Sequence, residues 1–205
     1  NMFAQVESGS ITSFPKGNKG ITIGSNQYSQ SIYTLWTEAE RNAIGIYTVE
    51  IDETNKKDET YYINTNITYA FGSGKVTGSY GTATAKILND EDAVDEDGNK
   101  LKDTDGNQII NYGLKTKFKN KFNAEAAGLL AKTDWYVIKA ADVGSYSVPS
   151  NISTYRAAVR TKVNAMETSI DGCSDVAALI TLLTYTTDSD GKRTRPLGEF
   201  PDEVV

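Results

Sequence analysis

The segment NISTYRAAVRTKVNAMETSIDG, residues 151–172, decides how the chain folds. Ile152, Tyr155, Val159, Val163, Met166 and Ile170 recur in it at intervals of 3, 4, 4, 3 and 4. A helix turns once in about 3.6 residues, so this spacing puts all six on one face. The spacing predicts a long amphipathic helix that Asp171-Gly172 brings to an end. Such a stripe needs a partner, and one lies upstream. Leu114, Phe118, Phe122 and Leu129 stand 4, 4 and 7 apart, flanked by Lys115 and Lys119 on one edge and Lys117 and Lys121 on the other. Lysine stems can cover a stripe's edges while their ammonium groups stay wet. The two stripes are expected to face each other as an antiparallel helix pair. Between them run TDWYVIKA, residues 133–140, and a loop bearing Pro149, with Trp135 expected as a buried plug at the join. A last helix is expected in DVAALITLLTY, residues 175–185, capped by Ser174.

Toward the N-terminus the period shortens to two. MFAQVES and SITSFP alternate about Ser8-Gly9, which predicts an opening hairpin. GITIGSNQYS, residues 20–29, is expected as one short strand between glycines. Thr37 followed by Glu40 has the capping-box arrangement of a short helix, with Gly45 as its stop. IYTVEID then resumes as a strand, and ETYYINTNITYAFG with KVTGSYGTATAKIL complete a β-rich part. Eight of the 17 residues from Asn89 to Asp105 are acidic, which suits a solvated excursion rather than a core element. The expected class is α+β. A β-rich domain with one short helix spans 1–112, an antiparallel helical region spans 113–186, and an extended C-terminal tail spans 187–205. Leu197, Phe200, Val204 and Val205 are the only apolar side chains of DSDGKRTRPLGEFPDEVV, too few to order it alone. Either a partner or the body of the chain must hold this tail, with Phe200 as the expected anchor.

With 205 residues the chain can bury a substantial core without disulfides or metals. Cys173 is the only cysteine and there is no histidine, which removes the commonest participant in triads, acid–base chemistry and metal sites. A formal charge of −6 argues against nucleic-acid coating, which runs on accumulated Lys and Arg. No apolar run is long enough to span a membrane. NMFAQVESGS reads as a first strand rather than a signal peptide, so the chain is expected to be made in a cytoplasm.

Five patterns invite a chemical reading. Asp-x-Asp-Gly occurs as DEDGN (95–99), DTDGN (103–107) and DSDGK (188–192). A calcium loop would need ligands at positions 1 and 12 around a glycine at 6. Placing Gly98 there puts Ala93 and Thr104 at those positions, and placing Gly106 there puts Leu101 and Tyr112. Both fail twice, so these are expected to be Asp-Gly turns in which each Asp bonds its own backbone. Carboxylate pairs can hydrolyse glycosides, but acids in one solvated run have nothing to split their pKa values. Cys173 is expected as a small buried residue rather than a reactive thiol. The lysines at 115–121 read as a solvated helix edge. The 12 tyrosines and the Asn/Thr-rich strands permit a sugar-binding face, most of all in 61–80, although tyrosine also simply favours half-buried strands. No catalytic residue, metal ligand or cofactor site is expected.

LLAKTDWYVIKA followed by VPSNISTYRAAVRTKVNAMETSIDG resembles the C-terminal portion of tailed-bacteriophage tail proteins, including tail fibre assembly proteins. The shared pattern is a leucine-rich helix, Thr-Asp-Trp, a proline-bearing loop, and a helix with Tyr-Arg-x-x-(Val/Leu)-Arg. Here these are Leu129 to Trp135, Pro149, and Tyr155 to Arg160. MFAQVESGSITSFPKG and LWTEAERNAIGIYTV also look like phage tail-associated chains. The resemblance covers well under half of the sequence. It implies a non-enzymatic virion protein of the tail, in a fibre, baseplate or adaptor, made in the host cytoplasm. Its implied partners are other tail proteins and further copies of itself in a symmetric assembly, with no nucleic acid and no membrane. It leaves open an assembly chaperone that leaves before the virion is complete, and a saccharide-binding receptor module stands as a third role. The residues expected to carry structure or contacts are Trp135, Tyr155, Arg156, Arg160 and Phe200.

Overall fold

A computed structural model describes residues 1–204. The class is α+β, with the sheet in the N-terminal part and the helices in the C-terminal part. The chain forms two compact units that divide after Thr84, not near residue 112 as expected. The reason lies in the acidic stretch, which folds onto the start of the helical region.

The first unit holds β1 (Phe3–Glu7), β2 (Ser10–Ser13), β3 (Ile21–Ile23), β4 (Asn26–Tyr28), a 3-10 turn (Gln30–Tyr33), α1 (Glu38–Ala43), β5 (Ile46–Asp52), β6 (Tyr62–Ile63), β7 (Thr68–Gly72) and β8 (Lys75–Ser79). The main sheet runs β2-β1-β5-β8-β7. All its pairs are antiparallel except β5 with β8, where Val49 lies opposite Val76. Adjacent residues of a strand point to opposite faces, and β1 feeds both. Phe3 packs with Ile32, Tyr33 and Ile46, whereas Ala4 packs with Val49 and Val76. The hairpin at Ser8-Gly9 is present, both residues having positive φ (51° and 78°), the two-residue turn that matches strand twist. GITIGSNQYS is a second hairpin rather than one strand, because Gly24 (φ 61°) folds β3 back on β4. The capping box of α1 is closed in both directions, Glu40 N–H donating to Thr37 Oγ1 and Thr37 N–H to Glu40 Oε2 at 2.7 Å. Gly45 ends it at φ 85°, where a Cβ would stand 2.6 Å from the Val6 carbonyl oxygen.

After β9 (Thr84–Ala85) at the boundary, the second unit opens with β10 (Glu91–Asp92) and β11 (Ile110–Asn111). Between them the acidic excursion is an ordered three-armed element. Ala93 N–H donates to Ile109 O, Leu101 N–H to Ala93 O, and Ile109 N–H to Leu101 O, at 2.8, 2.9 and 3.0 Å. This ring of bonds joins residues spaced eight apart, so AVDEDGNK and LKDTDGNQ are successive copies of one arm. Each copy closes as a hairpin, Val94 bridging Lys100 and Lys102 bridging Gln108. The β10–β11 pair is the third arm.

Next come α2 (Leu114–Ala131), α3 (Asp134–Asp142), α4 (Ser150–Asp171) and α5 (Val176–Leu183). All six residues of the expected α4 stripe are buried, and Gly172 is its C-cap. Contacts with α2 step down α4 as they step up α2. Lys119 Nζ meets Asp171 Oδ1 at 2.8 Å, Asn123 Nδ2 donates to Glu167 Oε1 at 2.6 Å, and Arg156 reaches Leu130. The pair is therefore antiparallel, as expected. Of the α2 stripe, Leu114 and Phe122 are buried while Phe118 and Leu129 are half-buried. The cap of α5 is Asp175 rather than Ser174, its carboxylate accepting from Ala178 N–H at 2.7 Å. No helix among the described residues is long and apolar enough to cross a membrane.

The tail is not extended along its length. β12 (Thr186–Thr187) and β13 (Arg193–Thr194) form a hairpin turned by the third Asp-x-Asp-Gly. Beyond it the chain folds back, with Leu197 N–H donating to Leu182 O at 3.0 Å and the Leu197 side chain 3% exposed. Leu197, not Phe200, is the buried anchor.

Candidate interaction surface

The end of α2, the start of α3 and Arg156 of α4 meet at one corner. Arg156, on the shoulder of the α4 stripe, sends Nη1 to Leu130 O (2.8 Å), Thr133 Oγ1 (2.8 Å) and Asp134 Oδ1 (2.9 Å). Thr133 is buried, and its hydroxyl donates in turn to Leu130 O at 3.1 Å. The last-turn carbonyls of α2 carry partial negative charge, and Asp134 opens α3 where negative charge is favoured. One guanidinium thus neutralises the end of one helix and the first carboxylate of the next. Its side chain is only 13% exposed, so water competes little for these bonds.

The corner settles the direction of α3. TDWYVIKA is helical from Asp134, and α3 has no buried residue. Trp135 is 52% exposed and Ile138 67%, with Val137, Val143 and part of Tyr136 also facing solvent. Trp135 is therefore not a plug between the helices. Its ring stacks on its neighbour Tyr136 instead, centroids 3.8 Å apart and planes 29° from parallel. A nine-residue helix that buries nothing gains little from its own fold, since short helices draw their stability from a packed face.

The other expected residues are scattered. Tyr155 is buried, its hydroxyl without a hydrogen-bond partner among the described residues. Burial pushes its pKa up, the Glu203 carboxylate adds to the rise and Lys132 opposes it. Arg160 is exposed and makes no ion pair among the described residues. Phe200 is half-buried and lines a hollow of about 490 Å³ with Gly128, Leu129 and Lys132. Lys132 Nζ pairs with Glu203, and the Arg195 guanidinium lies 4.7 Å from the Tyr185 ring and 5.3 Å from that of Phe122. These contacts lay the tail against α2 and α5.

The three Asp-x-Asp-Gly turns share one geometry. Asp95 Oδ1 accepts from the N–H groups of Asp97 and Asn99, Asp103 Oδ1 from Asp105 and Asn107, and Asp188 Oδ1 from Asp190 and Lys192, all at 2.9 Å. Those N–H donors hold the carboxyls of Asp95 and Asp103 below the usual carboxylate range, that of Asn99 foremost for Asp95 and that of Asn107 for Asp103. Among the described residues no group of three or more carboxylate or thiol side chains is placed to hold a metal ion. Cys173 is buried, and desolvation pushes its thiol pKa up, the opposite of what a nucleophile needs. In 61–80 the aromatic faces are engaged within the chain. Lys57 sits 4.5 Å over Tyr62, Lys56 sits 5.7 Å over Tyr80, and Tyr69 packs on Phe14.

Sequence reasoning does not single out Ile138, Thr133 or Asp134 as site residues, nor Leu197 as the anchor of the tail. For the first three a signal existed: Thr-Asp directly after a helix end is a helix-start pattern. No family model, curated protein or solved structure matches the chain.

Proposed function

We propose that this chain is a non-enzymatic structural protein of a bacteriophage tail, in a fibre, baseplate or adaptor, and that α3 is the surface through which it binds a neighbouring tail protein. The observation that carries the reading is the helix exposing Trp135, Val137 and Ile138 while burying nothing. Contiguous exposed apolar groups mark contact sites, and tryptophan is the residue most enriched at their energetic centres. Covering Trp135 and Ile138 would contribute about 3 kcal/mol by burial alone. The Arg156 corner supports the same reading, because it holds a surface that the interior does not require. Of the residues of the resemblance, Leu130, Thr133, Asp134 and Arg156 build this corner. The partners are other tail proteins and further copies in a symmetric assembly, and the place of action is the virion.

Quantitative mass spectrometry of purified virions tests the proposal. Presence at a fixed whole-number ratio to the major tail proteins is the expected result. Absence from virions with abundance in infected cells would overturn it and assign the chain to tail fibre assembly instead. A saccharide-binding role in 61–80 is less favoured, because lysine ammonium groups sit over one face of Tyr62 and one face of Tyr80.

A further inference from the structure

The first unit contains a cavity of about 420 Å³ between the segment Phe14–Ile21 and the Tyr33 ring. Its lining holds two cations, Lys16 and Lys19, and no carboxylate. Neither lysine makes an ion pair or hydrogen bond among the described residues, although the chain as a whole is acidic. The segment reads PKGNKG, and its two glycines let the backbone press against an aromatic cluster. Gly17 has φ 75°, and a Cβ there would stand 3.2 Å from the Phe3 ring. At Gly20 a Cβ would stand 2.6 Å from the Tyr28 carbonyl oxygen. The loop's path is thus set by packing within the unit and needs no ligand to form.

We infer that this cavity binds an acidic monosaccharide unit, a pyranose bearing a carboxylate. The volume falls at the low end of small-molecule sites, roughly 300–1,000 Å³, the size class of one sugar ring rather than of a chain. A carboxylate on an Asp or Glu side chain would leave most of it empty. Phe14, 42% exposed although its ring also packs on Tyr69, offers apolar surface for the C–H face of a pyranose, the buried Tyr33 ring closes the floor, and the Asn18 amide supplies a donor and an acceptor for hydroxyls. Lys16 and Lys19 supply the charge that a neutral sugar would not use. The inference is independent of the tail assignment and of α3.

The test uses the full chain in a ¹⁵N–¹H NMR titration with glucuronate, glucose and inorganic phosphate in parallel. A sugar of that size binding with ordinary efficiency has a Kd of about 1 mM. The expected result is saturable shifts for the backbone amides of residues 16–21 with glucuronate, and binding about tenfold weaker for glucose and phosphate. Lys16→Gln with Lys19→Gln should abolish the glucuronate shifts while leaving the rest of the spectrum in place. Phosphate shifts equal to those of glucuronate would reduce the site to a plain anion site and overturn the sugar inference. Shifts that survive the double substitution, or no saturable shift at all, would overturn the site itself.

Discussion

Helices α3 and α4 sit one loop apart in the same unit and face opposite fates. α4 buries every residue of its stripe, and α3 buries none. Both carry aromatic and branched apolar side chains, so composition does not separate them. The difference is what each helix meets. α4 runs antiparallel to α2 along its length, whereas α3 is turned outward at a corner where Arg156 binds both the end of α2 and the start of α3. Apolar content says that a helix needs a partner. Only geometry says whether the partner is in the same chain.

The largest expected effects fall on the buried side of this comparison. Phe122→Ala should destabilise the second unit by about 3–5 kcal/mol and Ile170→Ala by about 2–5 kcal/mol, read from urea unfolding followed by helical circular dichroism. Costs under about 1 kcal/mol at both sites would mean that the α2–α4 pair is not the core of this unit. The corner comes next. Arg156→Ala takes the guanidinium from the Thr133 hydroxyl oxygen and the Asp134 carboxylate, while Leu130 O keeps the Thr133 donors, and should cost about 2–3 kcal/mol, with Arg156→Lys recovering only part. Were Arg156 merely a surface cation, both changes would cost under about 0.5 kcal/mol.

How much of this was legible in the sequence follows the same division. The α4 stripe was legible because a 3-4 spacing repeated over six residues has one structural solution. The Ser8-Gly9 hairpin and the Thr37–Glu40 capping box were legible because each is closed by residues within a few positions. Trp135 is expected inside because large aromatics are highly buried on average, and the Thr-Asp helix-start pattern at 133–134 does not say which way the new helix turns. The three-armed element was half visible. Its Asp-Gly turns follow from local chemistry, whereas the ring joining Ala93, Leu101 and Ile109 is made by backbone groups that carry no residue signature. Phe200 is the largest apolar side chain of the tail, but the fold-back that bonds Leu197 N–H to Leu182 O buries Leu197 against the last helix instead. The bonds of Arg156 join the end of α2 and the start of α3 to α4, a contact between distant positions that no local pattern announces.

A smaller effect separates the three-armed element from the helix pair. Asp95 and Asp103 accept backbone N–H bonds as carboxylates, so their folded pKa values lie below the ordinary 3.8. A depressed carboxylate contributes stability that is present above its unfolded pKa and is lost as pH falls through the folded value. Acidification below about pH 4 should therefore loosen the arms first. The amides of Asp97, Asn99, Asp105 and Asn107 should lose hydrogen-exchange protection while those of Val159 and Val163 keep it. Simultaneous loss at both places would mean that arms and helices open as one unit.

The smallest expected change in stability belongs to α3, and there the central claim is most exposed. Trp135→Ser combined with Ile138→Ser removes most of the apolar surface that this helix presents. The decisive measurement is the copy number of the variant chain in virions, by quantitative mass spectrometry, with the melting temperature of the purified chain as its companion. If α3 faces a partner, the melting temperature should move by no more than about 2 °C. Incorporation into virions should meanwhile fall at least about tenfold, as expected for loss of an interface centre. Unchanged incorporation would contradict the account, and so would a melting temperature lowered by many degrees, which would return Trp135 to the interior of its own chain.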